Sequence, residues 1–484
     1  MYRPTPYVTF FLVVSSVLLL TSCATTPCKE CPYAEKMYPG RTWQMYARPE
    51  EAGFSYEKLT EAKQYSEAIG SAAVMVIYDG AVVAHWGDIE TRYMCHSVRK
   101  SFLSALYGIH VAEGNIDLDK TMAELGIDDE PPLTPLEKKA RVKDLLKARS
   151  GVYHSAAYET EAMKKARPKR GSHAPGTFYY YNNWDFNTLG AIFAGQTGST
   201  IFQAFQTRIA GPLHMQDFRV QDGYYHLEKQ HSIYPAYPFR MSARDMARFG
   251  LLFLRDGRWN NEHIITSKWI KESTRQYSAK DDKFGYAYLW WNINVEPFKT
   301  LGAYTASGYG GHWITVVPGA KLVFVHRVDT WWSLGFSTCP KKEKHSVSND
   351  ERLELLGMIL DAKVSEPPTY PVLVPLAERP KRDDIITLDS STLDKYVGEY
   401  RFPHDYTARI EVGEGRLLID SPGAGTFALL PLSPTQFVME DVNAPVSFEL
   451  GEDGQPLYMT IEFAPGEKCR GLAQRIERHR LSVL

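Results

Sequence analysis

The chain has 484 residues, 44% of them hydrophobic and 23% charged, a globular composition with room for a large and a small domain that excludes global disorder. Its formal net charge is −2 and it carries no basic stripe, so nothing recruits nucleic acid by charge. Aromatic residues, at 13%, suit a ring-lined cleft as well as a large core, and composition alone names no chemistry.

At the N-terminus Arg3 precedes an apolar run, 8–20, that ends in Leu20-Thr21-Ser22-Cys23. The run is shorter than the roughly 20 residues that span a bilayer. Residues 1–22 therefore read as a secretion signal rather than an anchor helix. The ending resembles a bacterial lipobox, which implies cleavage before Cys23 and lipidation of its thiol. Each buried acyl methylene contributes about 0.8 kcal/mol, so the expectation is a lipoprotein at the bacterial cell envelope. The membrane is then a partner through the lipid, and residues 23–45 are a tether. Cys28-Lys29-Glu30-Cys31 has thioredoxin spacing but lies in that tether without a βαβ context. Cys95, Cys339 and Cys469 add no pair at metal spacing. No metal and no cofactor are expected.

Residues 56–69 are amphipathic. The apolar run 72–77, then Asp79-Gly80, then the run 81–84 predict a β-hairpin. Helical patterns follow at 98–113, 136–148, 186–198 and 242–255, strands at 314–317 and 322–325, and a helix at 349–360. Strands at both ends with helices between predict an α+β domain whose sheet joins distant segments. Pro367, Pro368, Pro371, Pro375 and Pro380 mark 363–392 as a stiff linker. Beyond it, short runs at 396–400, 408–412, 416–419, 428–432, 436–439, 447–450 and 457–463 alternate with turns. They predict a small all-β barrel or sandwich over 393–484.

Ser97-Val98-Arg99-Lys100 is Ser-x-x-Lys at a helix start. Residues three apart share a helix face, so the Lys amine reaches the hydroxyl, which needs a base to become a nucleophile. A second copy, Ser55-Tyr56-Glu57-Lys58, matches the same pattern. Context separates them: Phe102, Ala105, Leu106, Ile109 and Ala112 make the helix after Ser97 a buried one, with Gly114 to end it. A desolvated Lys100 loses its proton more readily and can serve as base. Pro175-Gly176-Thr177-Phe178-Tyr179-Tyr180-Tyr181-Asn182-Asn183 offers a tyrosine to pass the proton to a leaving group. Tyr-x-Asn fits there twice, as Tyr181 with Asn183 and as Tyr180 with Asn182. Ala306-Ser307-Gly308-Tyr309-Gly310-Gly311-His312 precedes a strand, and its glycines let a substrate approach a sheet edge.

In this order the three elements resemble the β-lactamase-related serine hydrolases, which include class C β-lactamases, D-alanyl-D-alanine carboxypeptidases, esterases and 6-aminohexanoate-dimer hydrolases. Three further segments are similar to the family: Arg48-Pro49-Glu50-Glu51-Ala52-Gly53, Asp144-Leu145-Leu146-Lys147-Ala148-Arg149-Ser150-Gly151-Val152, and Met241-Ser242-Ala243-Arg244-Asp245-Met246-Ala247-Arg248-Phe249-Gly250. The resemblance covers 46–362 and implies a five-stranded antiparallel sheet flanked by helices. It implies Ser97 as the acylated nucleophile, Lys100 as its partner and Tyr181 as the proton relay, the spacing to Leu189-Gly190 favouring Tyr181 and Asn183. Ser307, Gly308 and Tyr309 would contact substrate and Asn183 would orient the substrate or Lys100, with the backbone N–H groups of Ser97 and Tyr309 as oxyanion hole.

Ala306 stands where the family often has Lys or His, a cation that helps hold a substrate carboxylate. The expectation is therefore an esterase or amidase acting on a small ester, amide or peptide, closer to the aminohexanoate-hydrolase branch. A class C β-lactamase or D-Ala-D-Ala carboxypeptidase is the alternative, with His312 as a compensating group. A non-catalytic lipid-tethered binding protein on this scaffold is a third reading. Tyr396-Val397-Gly398-Glu399-Tyr400 makes the C-terminal segment similar to the lipocalin-like domains appended to some of these hydrolases. The oligomeric state has no signal in the sequence.

Overall fold

The computed structural model describes residues 37–331, 345–380, 382–403, 406–464 and 467–474. The expected signal segment, Cys23, the Cys28–Cys31 pair and Cys339 lie outside the described residues. The predicted hairpin forms, and both turn residues, Asp79 (φ +45) and Gly80 (φ +102), take the left-handed conformation that a tight two-residue turn requires.

One sheet is built from β1 (Gln44–Tyr46), β2 (Ala73–Tyr78), β3 (Ala81–Gly87), β4 (Ser278–Ala279), β5 (Phe284–Tyr286), β6 (Trp291–Ile293), β7 (Tyr304–Gly308), β8 (His312–Val317), β9 (Leu322–Arg327) and β10 (Leu373–Pro375). Their order across the sheet is β10-β1-β3-β2-β9-β8-β7-β6-β5-β4. The α+β class is as expected, but the sheet has ten strands, not five. Five long strands, β2, β3 and β7 to β9, form the antiparallel centre. Pieces of two or three residues extend both edges, and β1 runs parallel to β3. Pieces so short carry no period-2 signature, yet they pair backbone groups that an open edge leaves bare. One of them, β10, comes from the Pro-rich segment and pairs Leu373 with Tyr46.

The central strands are buried on both faces, and their residues alternate between two cores. Ala73, Met75, Ile77, Val323 and Val325 face one core; Val74, Val76, Tyr78, Leu322 and Phe324 face the other. Helices α1 (Tyr56–Ala68), α2 (Arg99–Ala112), α3 (Asn183–Thr197), α4 (Ala243–Leu254) and α5 (Asn349–Asp361) cover them. The first core holds α2, α3 and α4, and the second holds α1 packed on α5. The helix expected over 136–148 is broken instead into the turn Glu137–Lys139 and the short helix Val142–Leu146. Arg141 between them is extended and bridges Thr121.

The C-terminal segment is a closed antiparallel barrel, resolving the choice between barrel and sandwich. Its strands are β11 (Gly398–Phe402), β12 (Tyr406–Gly413), β13 (Arg416–Ser421), β14 (Gly425–Pro431), β15 (Gln436–Met439), β16 (Pro445–Leu450), β17 (Pro456–Ala464) and β18 (Glu467–Gln474). The last strand closes the ring by pairing Ala473 with Tyr400. Its sequence hides it, because one inward position is Gly471, where a Cβ would lie 2.7 Å from the Phe402 ring. Arg92 ties the barrel to the larger domain, reaching Glu440 and Asp441 at 2.8 Å and Asp222 at 3.2 Å. Among the described residues no helix is long and apolar enough to cross a membrane.

Candidate active site

Ser97 sits in a tight turn, His96–Val98, that runs directly into α2. Every residue of α2 from Arg99 to His110 is buried, so Lys100 is carried into the core with its head group beside the turn. Lys100 Nζ lies 2.7 Å from Ser97 Oγ and 2.8 Å from the Tyr181 hydroxyl. Burial, reinforced by the neighbouring Arg99 charge, holds the Lys100 amine well below its ordinary pKa. Burial pushes the Tyr181 phenol up to about 12, opposed by a hydrogen bond with Ser97 and by the Arg99 charge. Phe186, Tyr286 and Trp291 pack round the Tyr181 ring and fix its direction.

The other Ser-x-x-Lys does something different. Ser55 caps α1, its Oγ accepting from Lys58 N, while Lys58 Nζ donates to the Asp361 carbonyl at 3.0 Å. The groove in which Ser55 lies is larger than the cavity at Ser97, about 1050 Å³, but its serine is committed to the helix end.

Geometry also separates the overlapping Tyr-x-Asn pairs. The Tyr180 hydroxyl donates to the Met163 carbonyl at 2.8 Å, away from Lys100. Asn182 caps α3 through Trp184 N and donates to Val152 O and Asp185 Oδ1. Asn183 lines the cavity, donates to Tyr158 O at 2.6 Å, and leaves its buried Oδ1 without a partner. Two of the family-like segments elsewhere hold anchors rather than site groups. Ser150 Oγ donates to Asp185 in the first turn of α3, and the Asp245 carboxylate accepts from the backbone N–H groups of Gln216, Asp217 and Phe218.

The third element is the hairpin from β7 to β8. Gly308 ends β7 so close to the turn that carries Ser97 that a Cβ there would meet the Cys95 carbonyl at 2.5 Å. Gly310 (φ +83) and Gly311 (φ +119) then turn the chain. Tyr309 is half exposed and meets the His96 ring edge-on at 5.7 Å. Ser307 borders the cavity, with its Oγ accepting from the Trp313 indole at 2.9 Å. Ala306 is fully buried opposite Ile314. His312 is fully buried as well: its Nδ1 accepts from Arg327, and burial with that positive neighbour keeps the imidazole neutral. His312 is therefore no replacement cation.

Ser97, Tyr181, Asn183, Ser307, Gly308 and Tyr309 share one cavity of about 600 Å³. Sequence reasoning missed Trp291 and Arg352, which also line it. The Arg352 guanidinium lies 4.1 Å over the Trp313 ring, is lowered by burial to about 9, and leaves Nη1 buried without a partner. Nothing local marks it, since it lies on α5, far along the chain from every motif.

The family model described as Beta-lactamase matches residues 57–327, and one described as a domain of unknown function (DUF3471) matches 382–473. No curated protein matches the chain. Among solved structures the chain is similar to a Bacillus anthracis protein provisionally designated a 6-aminohexanoate-dimer hydrolase, 20% identical over 66% of this chain and 90% of that one, with a TM-score of 0.48. It is similar to the octameric penicillin-binding protein homologue from Pyrococcus abyssi, 16% identical over 86% and 99% of the two chains, with a TM-score of 0.46. It is also similar to EstCE1, a hydrolase with promiscuous acyltransferase activity, 15% identical over 66% and 99%, with a TM-score of 0.45.

Proposed function

The chain belongs to the beta-lactamase family, and we propose that it is a serine hydrolase that cleaves an ester or amide bond through an acyl-enzyme on Ser97. The observation that carries this reading is the position of Lys100 Nζ, within 2.8 Å of both Ser97 Oγ and the Tyr181 hydroxyl. Lys100, whose pKa burial lowers, accepts the Ser97 proton as Oγ attacks the carbonyl carbon. The oxyanion is received by the backbone N–H groups of Ser97 and Tyr309. Tyr181, whose raised pKa keeps its proton in place, relays a proton to the departing alkoxide or amine. Water then enters, gives up a proton along the same path, and releases the acid. With the expected lipid on Cys23, the proposed enzyme works at the cell envelope.

Ala306 and the neutral His312 favour esters and small amides over β-lactams. A second reading, a carboxylate-bearing substrate as in the carboxypeptidase or class C β-lactamase branch, is favoured by Arg352, a cation with an unmet N–H on the cavity wall. Turnover of nitrocefin with far greater efficiency than a p-nitrophenyl ester would establish that second reading.

The test is Ser97→Ala in p-nitrophenyl ester hydrolysis, together with mass spectrometry after a fluorophosphonate probe. The expected result is a loss on the order of 10³-fold or more and a wild-type adduct at Ser97. Wild-type turnover in the variant refutes the nucleophile. A wild-type chain with neither adduct nor turnover is a binding protein on this scaffold.

A further inference from the structure

The turn from β13 to β14, Pro422-Gly423-Ala424, leaves the barrel and ends against the wall of the active-site cavity. Ala424 N donates to Ser421 O at 2.9 Å, and Gly423 follows Pro422 with φ +80, the geometry of a type II turn. Two phenols converge on the Gly423 carbonyl. Tyr224 donates to it at 2.7 Å and Tyr158 at 3.3 Å, with the two hydroxyls 3.1 Å apart. Gly425, at φ +84, lies under the Tyr224 ring, where a Cβ would come within 2.6 Å.

Tyr158 lines the same cavity as Ser97 and holds a left-handed backbone, φ +65. A bulky residue keeps that conformation only where its surroundings over-determine it. Its N–H donates to Glu228 Oε1 at 3.1 Å, and its carbonyl accepts from Asn183 Nδ2 at 2.6 Å. The ring meets His226 at 4.7 Å and lies 5.7 Å from the Arg99 guanidinium. The contacts Gly423 to Tyr158 and Tyr158 to Asn183 thus join the barrel to the residue beside the proton relay. The junction itself is braced, since the Arg240 guanidinium stacks 3.9 Å over Phe427 of β14 and Arg92 and Arg219 both hold Glu440.

We infer that the barrel serves as a specificity wall of the hydrolase: its Gly423 turn positions Tyr158 and, through Tyr158, the Asn183 amide that faces the bound acyl group. Tyr158 and Tyr224 are positioning residues, not catalytic ones. The inference rests on reading Ser97 as the nucleophile. Removing the phenol tie frees the strained Tyr158 backbone, and the cavity loses the shape of its wall rather than its chemistry. The effect falls on substrate binding.

The experiment uses the full chain and three variants, Tyr224→Phe, Gly425→Ala and Gly454→Ala. Gly454 has the same backbone requirement (φ +72) with open space around it, so its variant strains the barrel without touching the turn. Steady-state ester hydrolysis is measured with circular dichroism and fluorophosphonate labelling of Ser97. The expected result is a KM about 3- to 10-fold higher in Tyr224→Phe and Gly425→Ala, with kcat within about twofold and Gly454→Ala unchanged. A wild-type KM in Tyr224→Phe, or an equal rise in Gly454→Ala, overturns the inference. If Gly425→Ala does not fold, Tyr224→Phe decides, because it removes one oxygen and adds nothing. Labelling with an unmoved KM refutes the wall alone, whereas a wild-type chain that takes no label refutes the nucleophile and the wall with it.

Discussion

Lys100 reaches Ser97 from one turn further along the same buried segment, with 2.7 Å between Nζ and Oγ and only 2% of the lysine exposed. An unfolded lysine titrates at about pH 10.4, and burial lowers Lys100 well below that in the folded chain. Between the two pKa values the unfolded chain binds a proton that the folded chain does not. Stability therefore falls as pH falls from the upper value towards the lower, and levels off beneath it. Lys100→Met removes that penalty along with the proposed base. The expected outcome is a loss of ester hydrolysis on the order of 10³-fold, with a higher Tm than wild type at pH 7 and a difference that shrinks as pH approaches 11. A lower Tm at pH 7 would count against a Lys100 pKa lowered by burial.

The second Ser-x-x-Lys makes the opposite prediction. Ser55 accepts from Lys58 N as the cap of α1, so Ser55→Ala is expected to cost about 1 kcal/mol of stability and to leave ester turnover within about twofold. Denaturant titration and steady-state kinetics read the two quantities separately. A large kinetic loss with unchanged stability would invert the assignment of the two copies.

Gly308 has no room for a side chain, because a Cβ would meet the Cys95 carbonyl at 2.5 Å. Gly308→Ala has to push the end of β7 away from the turn that carries Ser97. A displacement of about 1 Å at a reacting centre commonly costs on the order of 10²-fold. The expected variant keeps its far-ultraviolet spectrum and loses kcat on that scale. Normal turnover would mean that the approach of β7 to Ser97 does not matter.

Arg352 supplies the cavity with a cation that Ala306 does not. For a p-nitrophenyl ester bearing a carboxylate on its acyl part, Arg352→Met is expected to raise KM about tenfold or more, the scale of one charge-assisted hydrogen bond. A neutral ester of the same length should change by less than about twofold. An equal change for both esters would assign Arg352 to packing on Trp313 alone.

Sequence spacing was enough for whatever one helix turn or one hairpin dictates. Ser97 and Lys100 face each other because residues three apart on a helix must, and Asp79-Gly80 turns because its backbone angles suit few other pairs. The large α+β domain and the small β domain were legible for the same local reasons. The short edge strands were not, since two or three residues carry no period, and neither was the closing strand β18, whose inward Gly471 lacks an apolar side chain.

The choice between Tyr181 and Tyr180 illustrates the remainder. Adjacent residues leave a loop in different directions, and only the packing of Phe186, Tyr286 and Trp291 decides that Tyr181 turns towards Lys100 while Tyr180 turns to Met163. Arg352 and Tyr158 enter the cavity from segments that no spacing rule connects to Ser97. The sequence by itself determined the Ser-Lys pair, which depends on neighbours along the chain. The tertiary structure alone decided which tyrosine, which cation and which barrel turn complete the cavity, because those are contacts between distant residues that only the packed core brings together.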